Sequence, residues 1–146
     1  MKDTLVQDIM NRDVIAIAPE LGVDAAAELM RSNGIRRLPV VNATNRVIGI
    51  ITIADALEVL PANLRDEEGF NRTEPPAVRE VMADYVYTAS PDEPVGVAAR
   101  KMVNHKIGAL PVVENLRLIG IITESDIFRF VAEQYEREHP EAGAGS

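Results

Sequence analysis

Apolar positions along the chain follow a helical spacing twice. Four of them, spaced i, i+3, i+4 and i+7, predict one core-facing side of an amphipathic helix. They are Val23, Ala26, Ala27 and Met30 in the first copy, and Val95, Ala98, Ala99 and Met102 in the second. The segment Ser90–Glu93 supplies the Ser, Pro and Glu of a helix N-terminus, so the second of these helices is predicted to begin at Pro91.

Two short apolar runs separated by a polar turn follow each predicted helix. The runs are Leu38–Val41 and Val47–Ile51 in the first copy, and Leu110–Val113 and Leu116–Ile122 in the second. Their β-branched residues and the polar turn between them predict a β-hairpin in each copy.

One further element lies on either side of these segments. A short β-rich run precedes the first helix, at Val14–Ile17 and again at Val86–Thr88. A second helix is predicted to begin at Thr52 and at Thr123, and the later one extends to about Arg137. The chain is therefore predicted to be a mixed α/β (α+β) protein that contains two β-α-β-β-α repeats.

The two copies align closely with each other. A shift of 72 residues aligns Leu38–Val41 with Leu110–Val113. The second turn is one residue shorter, so a shift of 71 then aligns GIITIAD (Gly49–Asp55) with GIITESD (Gly120–Asp126). Such a repeat indicates a duplicated unit. The predicted divisions are residues 1–60 for the first copy, 61–76 for an inter-repeat loop, 77–138 for the second copy with its C-terminal helix, and 139–146 for a flexible tail.

The repeated Thr-x-x-Asp has two interpretations. The Thr can cap a backbone amide of the helix, and the Asp can accept a hydrogen bond from the Thr amide, so the motif suits a helix N-terminus. The alternative is a ligand site, because a helix that follows a strand and turn presents free amides to an anion. Gly49 and Gly120 indicate close approach by a ligand or by another backbone, since Gly is unfavourable within a strand.

Composition argues against several classes of function. The formal charge is −8 at pH 7, and the chain has three Tyr, three Phe and no Trp, which argues against nucleic acid and anionic membranes as partners. The chain has no Cys, so disulfides and thiolate metal sites are excluded. The N-terminus shows no signal-peptide pattern, and the longest apolar segment, Val47–Leu60, is too short to span a bilayer. We therefore expect a cytoplasmic protein.

Sequence signatures of catalysis are missing. No GxxxxGK[ST], GxSxG or HExxH motif occurs, and the only histidines are His105 and His139. His139 belongs to the polar tail. The sequence fixes no second carboxylate near Asp55 or Asp126, so it supports no acid–base pair, and we expect the chain not to be an enzyme.

The duplicated unit resembles a known family. Two β-α-β-β-α copies, each with LPVV followed by GIITxxD, are similar to a tandem pair of cystathionine-β-synthase (CBS) domains, the arrangement called a Bateman module. The resemblance covers Leu5–Leu60 and Ala77–Tyr135. It implies two repeats packed sheet to sheet about a pseudo-twofold axis. It also implies two symmetric clefts that hold an adenosine compound such as AMP, ADP, ATP or S-adenosylmethionine.

The resemblance assigns roles to individual residues. Asp55 and Asp126 would accept hydrogen bonds from the two ribose hydroxyls, a task that suits an acceptor-only carboxylate. Thr52 and Thr123 would lie beside the ribose or the phosphates. Aliphatic residues would form the walls around the adenine: Ile50, Ile51, Ile121, Ile122, Val14 and Val86.

Phosphate groups require cations or helix ends nearby. Arg36 and Arg37, immediately before the first LPVV, are the candidates in the first copy. His105 and Lys106 hold a neighbouring place in the second copy, although His105 at a helix end can instead interact with the last carbonyls. All these side chains could alternatively face water. Because Gly108-Ala109 replaces the two arginines in the second copy, we expect the clefts to differ.

The leading hypothesis is a regulatory module that senses an adenine nucleotide or S-adenosylmethionine, needs no tightly bound cofactor, and acts on an unknown effector protein. The alternative is a dimerisation scaffold that binds no ligand and contacts a partner protein. The Thr and Asp are intact in both copies, which favours the first hypothesis. The second helices carry apolar residues on more than one face, so we expect a homodimer.

Overall fold

The computed structural model describes residues 3–64, 74–84 and 86–141 of the chain. Within these ranges six helices and four strands follow one another. They are α1 (Val6–Ile9), α2 (Val23–Asn33), β1 (Arg37–Val41), β2 (Val47–Thr52), α3 (Ile53–Leu64), α4 (Val78–Val81), α5 (Val95–His105), β3 (Ala109–Glu114), β4 (Arg117–Thr123) and α6 (Glu124–Glu138). The mixed helix and strand content confirms the predicted α+β class. Most of the tail predicted over 139–146 lies outside the described residues.

The helix α3 is longer than the sequence predicts. It continues to Leu64, so the loop expected over 61–76 does not begin at residue 61. Pro61 deprives the Leu57 carbonyl of its amide partner, but the buried Ala56 and Leu60 hold the same helix on the core. Residues 65–73 of the expected loop lie outside the described residues.

Both predicted hairpins are present. The strands β1 and β2 pair antiparallel, with Arg37 opposite Thr52 and Leu38 opposite Ile51. The strands β3 and β4 form a second two-stranded sheet. Each hairpin leads directly into a helix, because β2 ends one residue before α3 and β4 ends one residue before α6.

The expected first strand of each copy is reduced to a single bridging residue. Ile17 donates its amide to the Pro39 carbonyl and accepts from the Val41 amide, both at 3.0 Å. A parallel ladder would next require amide hydrogens from Pro39 and from Pro19, and proline has none. The prediction of strands at Val14–Ile17 and Val86–Thr88 is therefore wrong.

Proline ends the equivalent pairing in the second copy as well. Ala89 bridges to Val112 in parallel. It donates to the Pro111 carbonyl and accepts from the Val113 amide, both at 2.9 Å. Pro91 and Pro111 stand where the next amide hydrogens would be needed.

The helix α5 begins four residues later than predicted. Its N-cap is Pro94, and Ser90–Glu93 instead forms a turn in which the Glu93 amide donates to the Ser90 carbonyl at 3.2 Å. Pro94 disfavours a helical conformation at Glu93, which explains why the helix does not begin at Pro91. The carbonyl of Glu93 accepts a 2.8 Å hydrogen bond from the Val6 amide, so this turn anchors α1.

The described chain divides into two compact units that differ from the sequence repeats at their edges. One unit, here called the Asp55 unit, contains residues 15–86 and 116–118. The other, the Asp126 unit, contains residues 1–14, 87–115 and 119–146. The short helix at the start of each repeat thus belongs to the unit that the other repeat forms, so α1 lies in the Asp126 unit and α4 in the Asp55 unit.

Each unit has an aliphatic core that includes residues from the predicted apolar side of its long first helix. The core of the Asp55 unit consists of Ile17, Val23, Ala26, Met30, Leu38, Val40, Ile51, Ala56, Leu60 and Val78. The core of the Asp126 unit consists of Val6, Met10, Ala89, Ala98, Met102, Leu110, Val112 and Ile122. Val6 and Val78 are both fully buried. They belong to α1 and α4, here called the exchanged helices because each lies in the unit that the other repeat forms.

The final helices of the two units pack differently. In α3 the side chain of Leu60 is 6% exposed, whereas Val131, which aligns with it in α6, is 60% exposed. No residue of α6 is buried. A cavity of about 280 Å³ is lined by residues of α5 and α6, among them Val103, Ile127 and Phe128. Among the described residues, no helix is both long enough and apolar enough to cross a membrane.

Candidate functional site

The repeated Thr-x-x-Asp forms a capping box at the start of α3. The amide of Thr52 donates to Oδ2 of Asp55 at 3.3 Å, and the amide of Asp55 donates to the Thr52 hydroxyl at 3.1 Å. Two of the free amides of the helix N-terminus are satisfied in this way. The Oδ1 atom of Asp55 has no hydrogen-bond or ion-pair partner among the described residues.

The start of α6 has the same box with additional bonds. The amide of Thr123 donates to Oδ2 of Asp126 at 2.8 Å, and the Asp126 amide donates to the Thr123 hydroxyl at 3.3 Å. The Thr123 hydroxyl also lies 3.0 Å from Oδ2 of Asp126 and donates to it. The Oδ1 atom of Asp126 is 3.4 Å from the Arg129 guanidinium. The helix-start interpretation of the motif is thus correct in both copies, and one carboxylate oxygen remains beyond the box in each.

The glycine of each motif is explained by a neighbouring backbone. Ile50 and Ala83 exchange two amide–carbonyl hydrogen bonds, of 3.0 and 2.9 Å, and this brings the Ala83 carbonyl to within 2.9 Å of where a Cβ on Gly49 would lie. No side chain fits there. The sequence indicated close approach either by a ligand or by another backbone, and the structure shows approach by a backbone.

The two predicted arginines lie beside the start of α3. The Arg36 carbonyl accepts a 2.8 Å hydrogen bond from the amide of Ile53, the first residue of that helix. Arg37 pairs with Thr52 across the hairpin. Arg36 is exposed and Arg37 is half-buried, and neither guanidinium bonds to another described residue. Two arginines whose guanidinium groups have no partner in the described parts of the chain therefore lie beside the Thr52–Asp55 box.

The second copy has a less positive surrounding at the equivalent place. The amide of Glu124 donates to the Gly108 carbonyl at 3.0 Å, which matches the Ile53–Arg36 contact of the first copy. Gly108 and Ala109 thus replace the two arginines in space as well as in sequence, and Glu124 replaces Ile53. The structure places a carboxylate at the first position of α6 where α3 has an aliphatic side chain.

The two residues predicted to lie near a phosphate in the second copy, His105 and Lys106, are found at the end of α5. The ring of His105 stacks on Tyr87, with the ring centroids 3.6 Å apart and the planes 16° from parallel. Lys106 adopts the left-handed conformation that ends the helix, with φ of 55°. Its side chain lines the cavity between α5 and α6 together with Glu124. Lys106 and Glu124, the first residue of α6, therefore line the same cavity.

The aliphatic residues predicted to contact adenine fall into two groups. Ile51 and Ile122 are fully buried in the cores of their units, so their side chains serve packing and are not accessible to a ligand in this conformation. Their neighbours Ile50 and Ile121 are half-buried, as are Val14 and Val86. These four remain candidates for contact with a base.

Two residues that the motif search overlooked lie one helical turn after the aspartates. Arg129 follows Asp126 by three positions and contacts it, and the shift of 71 residues aligns it with Glu58, which follows Asp55. The repeat alignment contained this difference, but a search for shared residues does not reveal it. Among the described residues, no group of three or more His, Cys, Asp or Glu side chains could hold a metal ion.

Comparison with known proteins places this geometry in a family. A family model for the CBS domain matches residues 6–62 and 78–133. The CBS domain pair of protein MJ0100, solved in complex with 5′-methylthioadenosine and S-adenosyl-L-methionine, superimposes with a TM-score of 0.76 at 31% identity. That match covers 91% of this chain and 99% of the other. CBSX2 in complex with AMP gives a TM-score of 0.77 at 25% identity, over 90% and 98% of the two chains.

Longer proteins also contain this module. The chain is 34% identical over 134 residues to a homoserine O-acetyltransferase of Methanohalobium evestigatum, and the match covers 91% of this chain but 25% of that enzyme. The chain spans less than half the length of this and other curated relatives. Because the family model matches both repeats and most of the chain, the protein belongs to the CBS domain family, of which it contains a tandem pair.

Proposed function

We propose that this CBS pair is a regulatory module that senses an adenosine-containing compound through its two Thr–Asp boxes. The observation that carries the proposal is the carboxylate oxygen that each box leaves over. Asp55 and Asp126 are fixed by their own helix starts, so their outward oxygens are oriented before any ligand arrives. Preorganised acceptors lose little entropy when they bind two neighbouring hydroxyls.

The known ligands of similar proteins support an adenosine compound. The solved CBS pair of MJ0100 holds 5′-methylthioadenosine and S-adenosyl-L-methionine, and CBSX2 holds AMP. These three molecules share the adenosine and differ in the group at its 5′ end. We infer that the ribose is the part that the Thr–Asp boxes of this chain recognise.

The surroundings of the first box favour a phosphate on the ligand. Arg36 and Arg37 flank the start of α3, and neither guanidinium is neutralised by a described residue. A helix N-terminus adds a partial positive charge at the same place. We therefore propose that a nucleotide such as AMP, ADP or ATP binds at the Thr52–Asp55 box.

The module is proposed to regulate and not to catalyse. CBS pairs typically act as regulatory domains, and the boxes described here contain acceptors and cations but no general base paired with a nucleophile. The enzymes among the longer relatives have additional chain beyond the segment that matches. We propose that ligand binding here is communicated to another protein, whose identity is not encoded in the boxes.

A second copy of the chain is the proposed partner of α6. Phe128, Val131 and Tyr135 lie at i, i+3 and i+7 on this helix and are 66%, 60% and 54% exposed. Such a stripe on a 15-residue helix without buried residues is typical of an interface. Homodimerisation through α6 is compatible with ligand sensing, and it is also what a scaffold without a ligand would need.

Titration calorimetry distinguishes a ligand-sensing module from a dimerisation scaffold that binds no ligand. The protein is titrated with adenosine, AMP, ATP, 5′-methylthioadenosine and S-adenosylmethionine, with guanosine and GMP as controls. We expect binding of at least one adenosine compound and none of the guanine compounds at the same concentrations. Absence of heat and of thermal stabilisation with every adenosine compound would contradict sensing and leave dimerisation as the function.

A further inference from the structure

We infer that the residue three positions after each aspartate makes the two boxes unequal as ribose acceptors, with the Asp55 box open and the Asp126 box partly occupied by its own helix. The inference rests on the proposed function and concerns which of the two boxes binds ribose more tightly. The residue is Glu58 in the first copy and Arg129 in the second. The difference lies one helical turn from the aspartate, where i and i+3 side chains meet.

The carboxylate of Asp126 is nearly saturated within its own unit. It accepts from the Thr123 amide at 2.8 Å, from the Thr123 hydroxyl at 3.0 Å and from Arg129 at 3.4 Å. A carboxylate offers about four acceptor positions, so about one remains free. The side chain is also only 13% exposed.

The carboxylate of Asp55 keeps more of its capacity. Among the described residues its only donor is the Thr52 amide, at 3.3 Å. About three of its four acceptor positions therefore stay available. Glu58, which takes the place of Arg129, is an acceptor and cannot compete for them.

Two ribose hydroxyls need two acceptor positions on one carboxylate. Asp55 can supply both at once, whereas Asp126 must first release Arg129. The Arg129 side chain is 63% exposed, and exposed ion pairs are weak, so its release lowers affinity only modestly. Arg129 thus acts as an internal competitor for ribose, and the Asp55 box fills first as ligand concentration rises.

The test uses proteins in which only one box is intact. On an Asp55→Asn background, Arg129→Met should raise the affinity for adenosine about two- to fivefold, the range expected for loss of an exposed ion pair. On an Asp126→Asn background, Glu58→Arg should lower adenosine affinity by a similar factor, and Glu58→Met should not lower it. Adenosine is the probe because it has no phosphate that the introduced or removed charge could contact directly.

A ligand without the hydroxyls gives the specific control. With 2′,3′-dideoxyadenosine, Arg129→Met should have no effect, since nothing competes with Arg129 for the carboxylate. An unchanged adenosine affinity in Arg129→Met, or an equal gain for both ligands, would overturn the inference while adenosine binding itself persists. If the two single-box proteins and the parent protein all fail to bind any adenosine compound, the proposed function fails and the inference fails with it.

Discussion

Gly120 lies against the backbone of Asn11, so closely that a Cβ on Gly120 would be 2.9 Å from the Asn11 carbonyl oxygen. The contact is fixed by two hydrogen bonds between Asn11 and Ile121, of 2.9 and 3.0 Å. Asn11 follows α1, the helix that the first repeat contributes to the Asp126 unit. The glycine thus lets the exchanged segment dock beside the strand that leads to the Thr123–Asp126 box.

Substitution of these glycines should destabilise the protein. Gly49→Ala and Gly120→Ala each force a methyl group into backbone, and such overpacking costs roughly 1–3 kcal/mol of unfolding free energy. Gly96→Ala is the matched control, because that glycine lies in α5 with nothing within 4 Å of its would-be Cβ. It should stabilise the protein by about 0.5–1 kcal/mol. Urea denaturation measures all three, and equal effects at Gly96 and Gly120 would contradict the docking role.

An ion pair in the Asp126 unit replaces two leucines of the other unit. Lys101 donates to Glu93 at 2.7 Å and to the Thr88 carbonyl at 2.9 Å. The other oxygen of Glu93 is buried without a partner in the described structure. The shift of 72 residues aligns this pair with Leu21 and Leu29.

The structure predicts that replacing Lys101 alone destabilises the protein more than replacing both residues of the ion pair. Lys101→Leu leaves Glu93, which is only 12% exposed, without its cation and should cost roughly 1–3 kcal/mol of stability. The double variant Glu93→Leu/Lys101→Leu should recover most of that loss, because a buried ion pair is often replaceable by apolar residues. Thermal and urea unfolding measure both variants. A double variant as unstable as Lys101→Leu would show that the pair has a role beyond charge compensation.

Much of the fold could be predicted because both copies repeat the same strong local signals. The apolar stripe that contains Met30 and Met102, both hairpins, and the helix starts at Thr52 and Thr123 all have a period or a cap that local sequence determines. The duplication also made each signal visible twice. The predictions that rested on these periods and caps are confirmed by the structure.

The errors arose where non-local contacts or prolines decide the structure. The strands at Val14 and Val86 required amide hydrogens that Pro19, Pro39, Pro91 and Pro111 lack. The exchange of α1 and α4 between the units depends on backbone pairing to β4 and β2, which no short window of sequence encodes. For the site, the search for shared residues found both aspartates and overlooked Arg129, because the two copies differ there.

Dimerisation through α6 should be sensitive to charge on its exposed stripe. Phe128→Glu should weaken the dimer by about 1.5–3 kcal/mol, the value of one buried aromatic side chain, and Val131→Glu should have a similar effect. Leu21→Glu is the control, since Leu21 is 49% exposed but lies outside α6. Light scattering should give about twice the 16.0 kDa chain mass for the parent and for Leu21→Glu. A parent protein of single-chain mass at micromolar concentration would contradict the dimer.

Substitution of the two arginines beside the first box should weaken the binding of ATP more than the binding of adenosine. Replacing both Arg36 and Arg37 with Ala should weaken ATP binding by roughly 1–3 kcal/mol through loss of charge-assisted hydrogen bonds, and leave adenosine binding nearly unchanged. Arg46→Ala/Arg117→Ala is the matched control. It removes the same charge from the Asp55 unit, because Arg46 lies in the turn between β1 and β2 and Arg117, the first residue of β4, forms a bridge with it. Equal losses for ATP and adenosine would mean that the first pair acts through the fold.

Calorimetric titration of Asp55→Asn, Asp126→Asn and the double variant is the most direct measurement of whether the boxes bind ribose. Asn keeps a side-chain oxygen that can accept the hydrogen bond from the Thr amide and loses only the charge that favours a helix N-terminus, so the loss of unfolding free energy should stay under about 1 kcal/mol. Each single variant should bind an adenosine compound at one box as the parent does and at the other with affinity weakened by about 1.5–3 kcal/mol, and in the double variant both boxes should be weakened. A double variant that binds every adenosine compound as the parent does would show that the repeated Thr-x-x-Asp begins two helices and recognises no ligand.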